Sequence, residues 1–108
     1  MTTSKELIEK IALRVTRAGT DKINFQILEM ANNDGMNINK LIEETKLTKV
    51  PINVRVNKLE RVGLVKRWRG TGSIVITDFG KDFMKLIYGY QEVVRSNVID
   101  ILKKTYDV

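Results

Sequence analysis

The stretch VPINVRVNKLERVGLVKRWRGTGSIVIT, residues 50–77, decides the fold. Proline has no backbone N–H and is tolerated in a helix only within the first turn, so Pro51 marks where a helix begins. Ile52, Val56 and Leu59 then recur at i, i+4 and i+7 and make its buried face. Gly63 ends it. Residues 65–69 and 74–77 follow as two strands, with Gly-Thr-Gly-Ser between them as a tight hairpin turn. Upstream, KLIEETK at residues 40–46 reads as a helix capped by Asn39 and buried through Leu41 and Ile42. A short break at Leu47 and Thr48 separates the two helices. Two helices across a tight break, with a hairpin directly after the second, outline a helix-turn-helix with a wing.

The opposite face of the second helix presents Lys49, Val50, Asn53, Val54 and Asn57 to solvent, with Arg55, Lys58 and Arg61 at its margins. Exposed asparagines are poor helix formers and do not serve the helix itself. Their amides match the major-groove edge of adenine, and a valine methyl packs on a thymine methyl. Lysine and arginine at the margins suit phosphates. The bland alternative is an ordinary solvated surface.

Charge placement separates these readings. Residues 46–69 hold eight cations and one acid, Glu60, for a net +7. The whole chain is +6, so the other 84 residues sum to −1. A basic segment on a balanced body is the footprint of a polyanion binder. The hairpin closes that segment. Its glycines let the tip approach another backbone, and Lys66, Arg67 and Arg69 can reach phosphates or a minor groove. Trp68 has two readings, packing with Val75 beneath the sheet or stacking on a ligand. The strand alternation conflicts with itself, because Arg67, Arg69, Ile74 and Ile76 fall on one side under a two-residue turn.

The flanking sequence is helical. Residues 1–18 carry Leu7, Ile8, Ile11, Ala12 and Val15 as a stripe, with a capping box from Thr3 to Glu6 and Gly19 as the break. Thr20 caps a second helix, buried through Ile23, Ile27 and Leu28, that ends in the turn NNDG at residues 32–35. Met36 to Ile38 reads as a short extended piece. From Asp78 to about Lys104 a long stripe runs through Phe79, Phe83, Leu86, Ile87, Tyr90, Val94, Val98 and Ile101, with Gly89 as a possible kink. A small domain needs less apolar surface than this. The first helix (Leu7, Ile8, Ile11, Val15) and the last (Phe83, Leu86, Ile87, Tyr90, Val94, Val98, Ile101) are therefore expected to form a two-fold dimer interface, against the alternative that both fold back on one monomer. The expected organisation is a single domain over residues 1–108, with an N-terminal helix at 1–18, a winged core at 20–77 and a dimerisation helix at 78–105.

Composition excludes several functions. The chain has no cysteine and no histidine, so thiolate chemistry and the commonest metal ligand and general base are missing. No metal and no cofactor are expected. Gly70-Thr71-Gly72 lacks the lysine and following helix of a phosphate loop, and no nucleophile–base pair is evident, so an enzyme is not expected. Tyr88 and Tyr90 could line an effector pocket, although tyrosines on an amphipathic helix are more often interface residues. No stretch of about 18 apolar residues exists and the N-terminus is not a secretory signal, so a cytoplasmic, nucleoid-associated protein with no membrane partner is expected.

The run LTKVPINVRVNKLERVGLVKRWRG, followed by VITDFGKDFMKLI, resembles the winged helix-turn-helix regulators of the MarR, ArsR and PadR type, especially small archaeal, archaeal-virus and plasmid members. The resemblance rests on the capped start at Leu47-Thr48, on Lys58-Leu59-Glu60-Arg61-Val62-Gly63-Leu64-Val65 running into the wing, and on the Ile76-Thr77-Asp78-Phe79-Gly80 step into the last helix. It implies an α+β, mostly α fold, with a two-stranded hairpin wing and a long C-terminal helix for dimerisation. In such a fold the second helix enters the major groove and the wing touches backbone or minor groove. This assigns double-stranded DNA contacts to Thr48, Lys49, Val50, Asn53, Val54, Arg55, Asn57 and Lys58 from the helix, and to Lys66, Arg67, Arg69, Thr71 and Ser73 from the wing. The implied function is a homodimeric transcriptional regulator, a repressor by site occupancy. The alternatives are a DNA-coating architectural or partition protein that spreads along DNA, and a winged-helix module that binds an acidic protein.

Overall fold

The computed structural model describes residues 4–68 and 70–106. Among these residues, eight elements run in the order α1 (Ser4–Thr20), α2 (Lys22–Asp34), α3 (Ile38–Thr45), α4 (Lys49–Arg61), β1 (Val65–Arg67), β2 (Ile74–Ile76), α5 (Asp78–Ser96) and α6 (Val98–Tyr106). The architecture is mostly helical with one antiparallel hairpin, as the sequence implies.

The first helix runs past Gly19. That glycine is buried, and a Cβ there would fall on the ring of Phe83, so it marks close packing of α1 on α5 and not a break. Thr20 is the last residue of α1, its hydroxyl donating to the Thr16 carbonyl at 2.6 Å. The cap of α2 is Asp21, whose carboxylate accepts the N–H groups of Ile23 and Asn24, each at 3.1 Å. The proposed Thr3 cap lies outside the described residues. Asn37, not Asn39, caps α3 by accepting the Lys40 N–H at 2.8 Å. Met36 stays extended and pairs both ways with Ile74, whereas Ile38 is already helical.

Lys46 ends α3 in the left-handed conformation at φ 64°. Thr48 then starts α4 in extended geometry without a side-chain cap bond, and Pro51 sits inside the first turn. Gly63, at φ 86°, turns the chain out of α4 into the wing. The pairing is Val65↔Ile76, Lys66↔Val75 and Arg67↔Ile74. Thr77 fastens the wing to the last helices: its hydroxyl donates to the carbonyls of Gly63 (2.6 Å) and Leu64 (3.1 Å), and accepts the Gly80 N–H at 2.9 Å.

The long C-terminal helix breaks at Asn97, not at Gly89. Side chains there compete for backbone acceptors. Ser96 donates to the Glu92 carbonyl at 3.0 Å and Asn97 to that of Val93 at 2.8 Å. Gly89 lies in unbroken helix.

Ile27, Leu28, Leu41, Ile52, Val56, Leu59, Leu64 and Ile74 are fully buried and form the core of α2, α3, α4 and the wing. Val15, Phe83 and Met84 join α1 and α5 to its edge. Beyond that seam the terminal helices carry exposed apolar side chains. The radius of gyration is 16.3 Å, where a compact chain of this length has about 13 Å.

Candidate nucleic-acid interface

With Ile52, Val56 and Leu59 turned into the core, helical geometry leaves Val50, Val54, Asn57 and Arg61 along the outer line of α4. Val50 is 73% and Val54 61% exposed, so the core uses neither. Lys49 and Lys58 are exposed beside them, as is Thr48 at the entry.

The wing resolves the conflicting alternation. Of the residues in that conflict, Arg67, Ile74 and Ile76 share one face together with Val65, and it is the inner one: Val65 and Ile74 are buried. Arg67 leaves that face by running along α4. Its terminal nitrogen donates to the side-chain carbonyls of Asn53 at 3.0 Å and Asn57 at 2.9 Å. Its backbone N–H donates to Glu60 Oε2 at 3.1 Å, and its Nε lies 4.0 Å from Glu60 Oε1. A guanidinium only donates, so the atoms it meets on both asparagines must be oxygens. Asn53 spends its amide on the Lys49 carbonyl at 3.0 Å and is half-buried. Asn57 keeps an outward amide that meets no acceptor among the described residues. The two asparagines and Arg67, read from the sequence as separate contacts, form one cluster. The bidentate adenine match expected of Asn53 needs groups that the fold has engaged, so that expectation changes.

Arg55, expected at the edge of the surface, is held on the opposite flank of α4. Its guanidinium donates to Asp21 at 2.6 Å and to Asn24 at 3.0 Å, and buried Asn24 donates on to the Ala18 carbonyl at 2.9 Å. The backbone N–H of Asn24, with help from the Arg55 charge, holds the Asp21 carboxyl below its ordinary value against the opposing effect of burial.

Trp68 is 53% exposed, which excludes the core reading. It shares the outer face with Lys66, whose ammonium lies 4.9 Å from the ring centroid in a cation–π contact. Thr71 and Ser73 sit at the tip, with the Thr71 hydroxyl accepting the Ser73 N–H at 3.3 Å. Gly70 (φ 96°) and Gly72 (φ 72°) make the turn, with Gly72 N–H bonded to the Trp68 carbonyl at 2.9 Å. The loop is thus longer than two residues. Arg69 lies outside the described residues.

Of the residues assigned to a dimer interface, Val15 and Phe83 are buried within the protomer, at 6% each, and Ile87 and Val94 are half-buried. Leu7, Ile8, Ile11, Leu86, Tyr90, Val98 and Ile101 are exposed. Tyr88 anchors α5 to α2: its hydroxyl donates to Glu29 at 2.9 Å and its ring meets Phe25 edge-on at 5.8 Å. Burial, and then Glu29, raise the Tyr88 hydroxyl above its ordinary pKa. Tyr90 instead lines a groove of about 850 Å³ between α1, α2 and α5. Among the described residues no cluster of three metal-ligating side chains exists, and no helix is long and apolar enough to cross a membrane.

No protein-family model matches the sequence, and no curated protein matches it either. Solved structures do. A homodimeric winged helix-turn-helix DNA-binding domain from Mycobacterium bovis, described as a possible ArsR-family transcriptional regulator, superposes with a TM-score of 0.69 at 21% identity, over 90% of this chain and 89% of its own. The transcriptional regulator HlyU from Vibrio vulnificus gives 0.60 at 20% identity, over 79% and 92%. A MarR family protein from Mycobacterium tuberculosis, in complex with p-aminosalicylic acid, gives 0.58 at 19% identity, over 91% and 85%. The chain described here has the winged helix-turn-helix fold of the Mycobacterium bovis domain.

Proposed function

We propose that the protein is a homodimer that binds double-stranded DNA sequence-specifically and regulates transcription by occupying its site, with repression the direct outcome. The carrying observation is the outer face of α4, where two exposed valines lie beside Asn57, Lys49, Lys58 and Arg61. In the major groove the valines suit thymine methyls and the cations suit phosphates. Asn57, its carbonyl engaged by Arg67, offers a donor to guanine N7 or O6 or to thymine O4. Lys66, Trp68, Thr71 and Ser73 present the wing to the flanking backbone. The exposed apolar residues of α1, α5 and α6 pair two protomers so that the recognition helices sit about 34 Å apart. Such a protein works in the cytoplasm, on the nucleoid. The solved structures named above are bacterial, so the likeness does not favour the archaeal and viral members suggested by the sequence.

The test is a selection from a random duplex pool at about 0.15 M salt. An enriched inverted repeat with half-sites about one turn apart is the expected result. A coating or partition protein is the second reading, favoured by the capture of both asparagine carbonyls, which leaves less for base readout. Duplex retained without a motif selects it. No retained duplex selects a protein-interaction module.

A further inference from the structure

The basic segment at residues 46–69 does not contain all the cations near the recognition helix. Lys10, Arg14 and Arg17 lie at i, i+4 and i+7 along one face of α1, all exposed. With Leu13 and Lys58 they line a groove of about 380 Å³ between α1 and α4. Lys58 also lines the adjoining groove with Val54, Asn57 and Arg61, so the surface is continuous with the outer face of α4. Among the described residues no acid lines either groove, and none of these five cations has an ion pair. Two acids stand beside this surface. Asp21 is bonded to Arg55, and Glu6 stands one turn before Lys10 at the far end of the stripe.

From the geometry we infer that Lys10, Arg14, Arg17 and Lys58 form a second phosphate-contact track, on the flank of the recognition helix away from the wing. Lys10 to Arg17 spans about 10 Å of helix, which matches about three base-pair rises of one strand. A cationic row of this length is what a duplex backbone neutralises by releasing counterions. The apolar stripe of α1 with Ile8, Ile11 and Val15 lies on another side, in a groove with Phe79, Phe83 and Leu86. Phosphate contact and α1–α5 packing therefore do not compete for the same side chains. The inference rests on the proposed DNA binding.

The experiment is the salt dependence of duplex affinity for wild type, Arg14→Ala/Arg17→Ala, and Lys103→Ala/Lys104→Ala, which removes the same charge from α6. The α1 double variant is expected to lower the log–log slope by about 1.8, equally on specific and random duplexes, with the α6 variant unchanged. Lys10→Ala alone, expected to lower the slope by about 0.9, covers the case in which the double variant does not fold. An unchanged slope in the α1 variants, or an equal fall in the α6 variant, overturns the inference alone. Wild-type protein that retains no duplex at about 0.05 M salt overturns the DNA-binding reading and this track with it.

Discussion

An arginine paired across the hairpin with buried Ile74 has to leave the inner face of the sheet, and Arg67 does so by reaching Asn53, Asn57 and Glu60. The sequence shows its charge, and even the awkward alternation, but not this destination. Its partners lie seven to fourteen residues away, and only the angle of the wing against α4 brings them into reach. Arg67→Ala frees both asparagine carbonyls. The variant is expected to shift preference at the base under Asn57 towards adenine, which needs donor and acceptor together. Parallel selections on wild type and variant read this, and identical motifs would count against the cluster as a determinant of specificity. The salt slope should fall by less than the ~0.9 of a free phosphate contact, because Glu60 already lies against the guanidinium. Asp21 is a second such residue: aspartate caps at least as well as threonine, and only the course of the chain decides between Thr20 and Asp21. Asp21→Ala should cost about 1 kcal/mol of stability at neutral pH. The fold lowers the Asp21 pKa, so its contribution is present above the unfolded carboxyl value near 4 and disappears as pH falls below it. Thermal melts from pH 7 to pH 2 should show wild type and variant converging at the acid end.

Element boundaries follow competition among neighbouring groups, and periodicity reports that poorly. The stripe of α4 was legible because Ile52, Val56 and Leu59 all face the core, whereas Val15 and Phe83 are the buried members of the α1 and α5 stripes. The break at Asn97 was not legible, since it arises from two polar side chains bonding back to the helix, while the nearby glycine drew attention instead. The structure separates the glycines of α5 sharply. A Cβ on Gly80 would meet the Leu64 carbonyl and the Ile76 side chain, at the point where wing and helix touch. A Cβ on Gly89 would meet nothing within 4 Å. Gly80→Ala should therefore destabilise by about 2–3 kcal/mol. Gly89→Ala should stabilise by roughly 0.5–1 kcal/mol through helix propensity. Urea melts that moved both variants the same way would contradict this account.

Across the molecule, α4 and the wing were readable from one 28-residue run, because helix start, buried face, glycine exit and hairpin follow each other in it, although the inward face of the hairpin was not. The sequence did not reveal how far the terminal helices stand from the core, which is a matter of tertiary placement. The radius of gyration and the exposed Leu86, Ile8 and Tyr90 describe that shape. Leu86→Glu or Ile8→Glu should convert a dimer to a monomer in sedimentation at micromolar concentration while leaving the helical circular dichroism intact. A wild type that sediments as a monomer there refutes the paired assembly. The two flanks of α4 carry a consequence for engineering. Arg67 and Glu60 lash it to the wing, and Arg55 with Asp21 moors it to the α1–α2 corner. It is not a portable cassette. Transplanted to another scaffold, α4 would lose both moorings and its asparagines would present different atoms. A library meant to retarget this protein in place should randomise positions 50, 54 and 61 and leave 53, 55, 57 and 60 as they are.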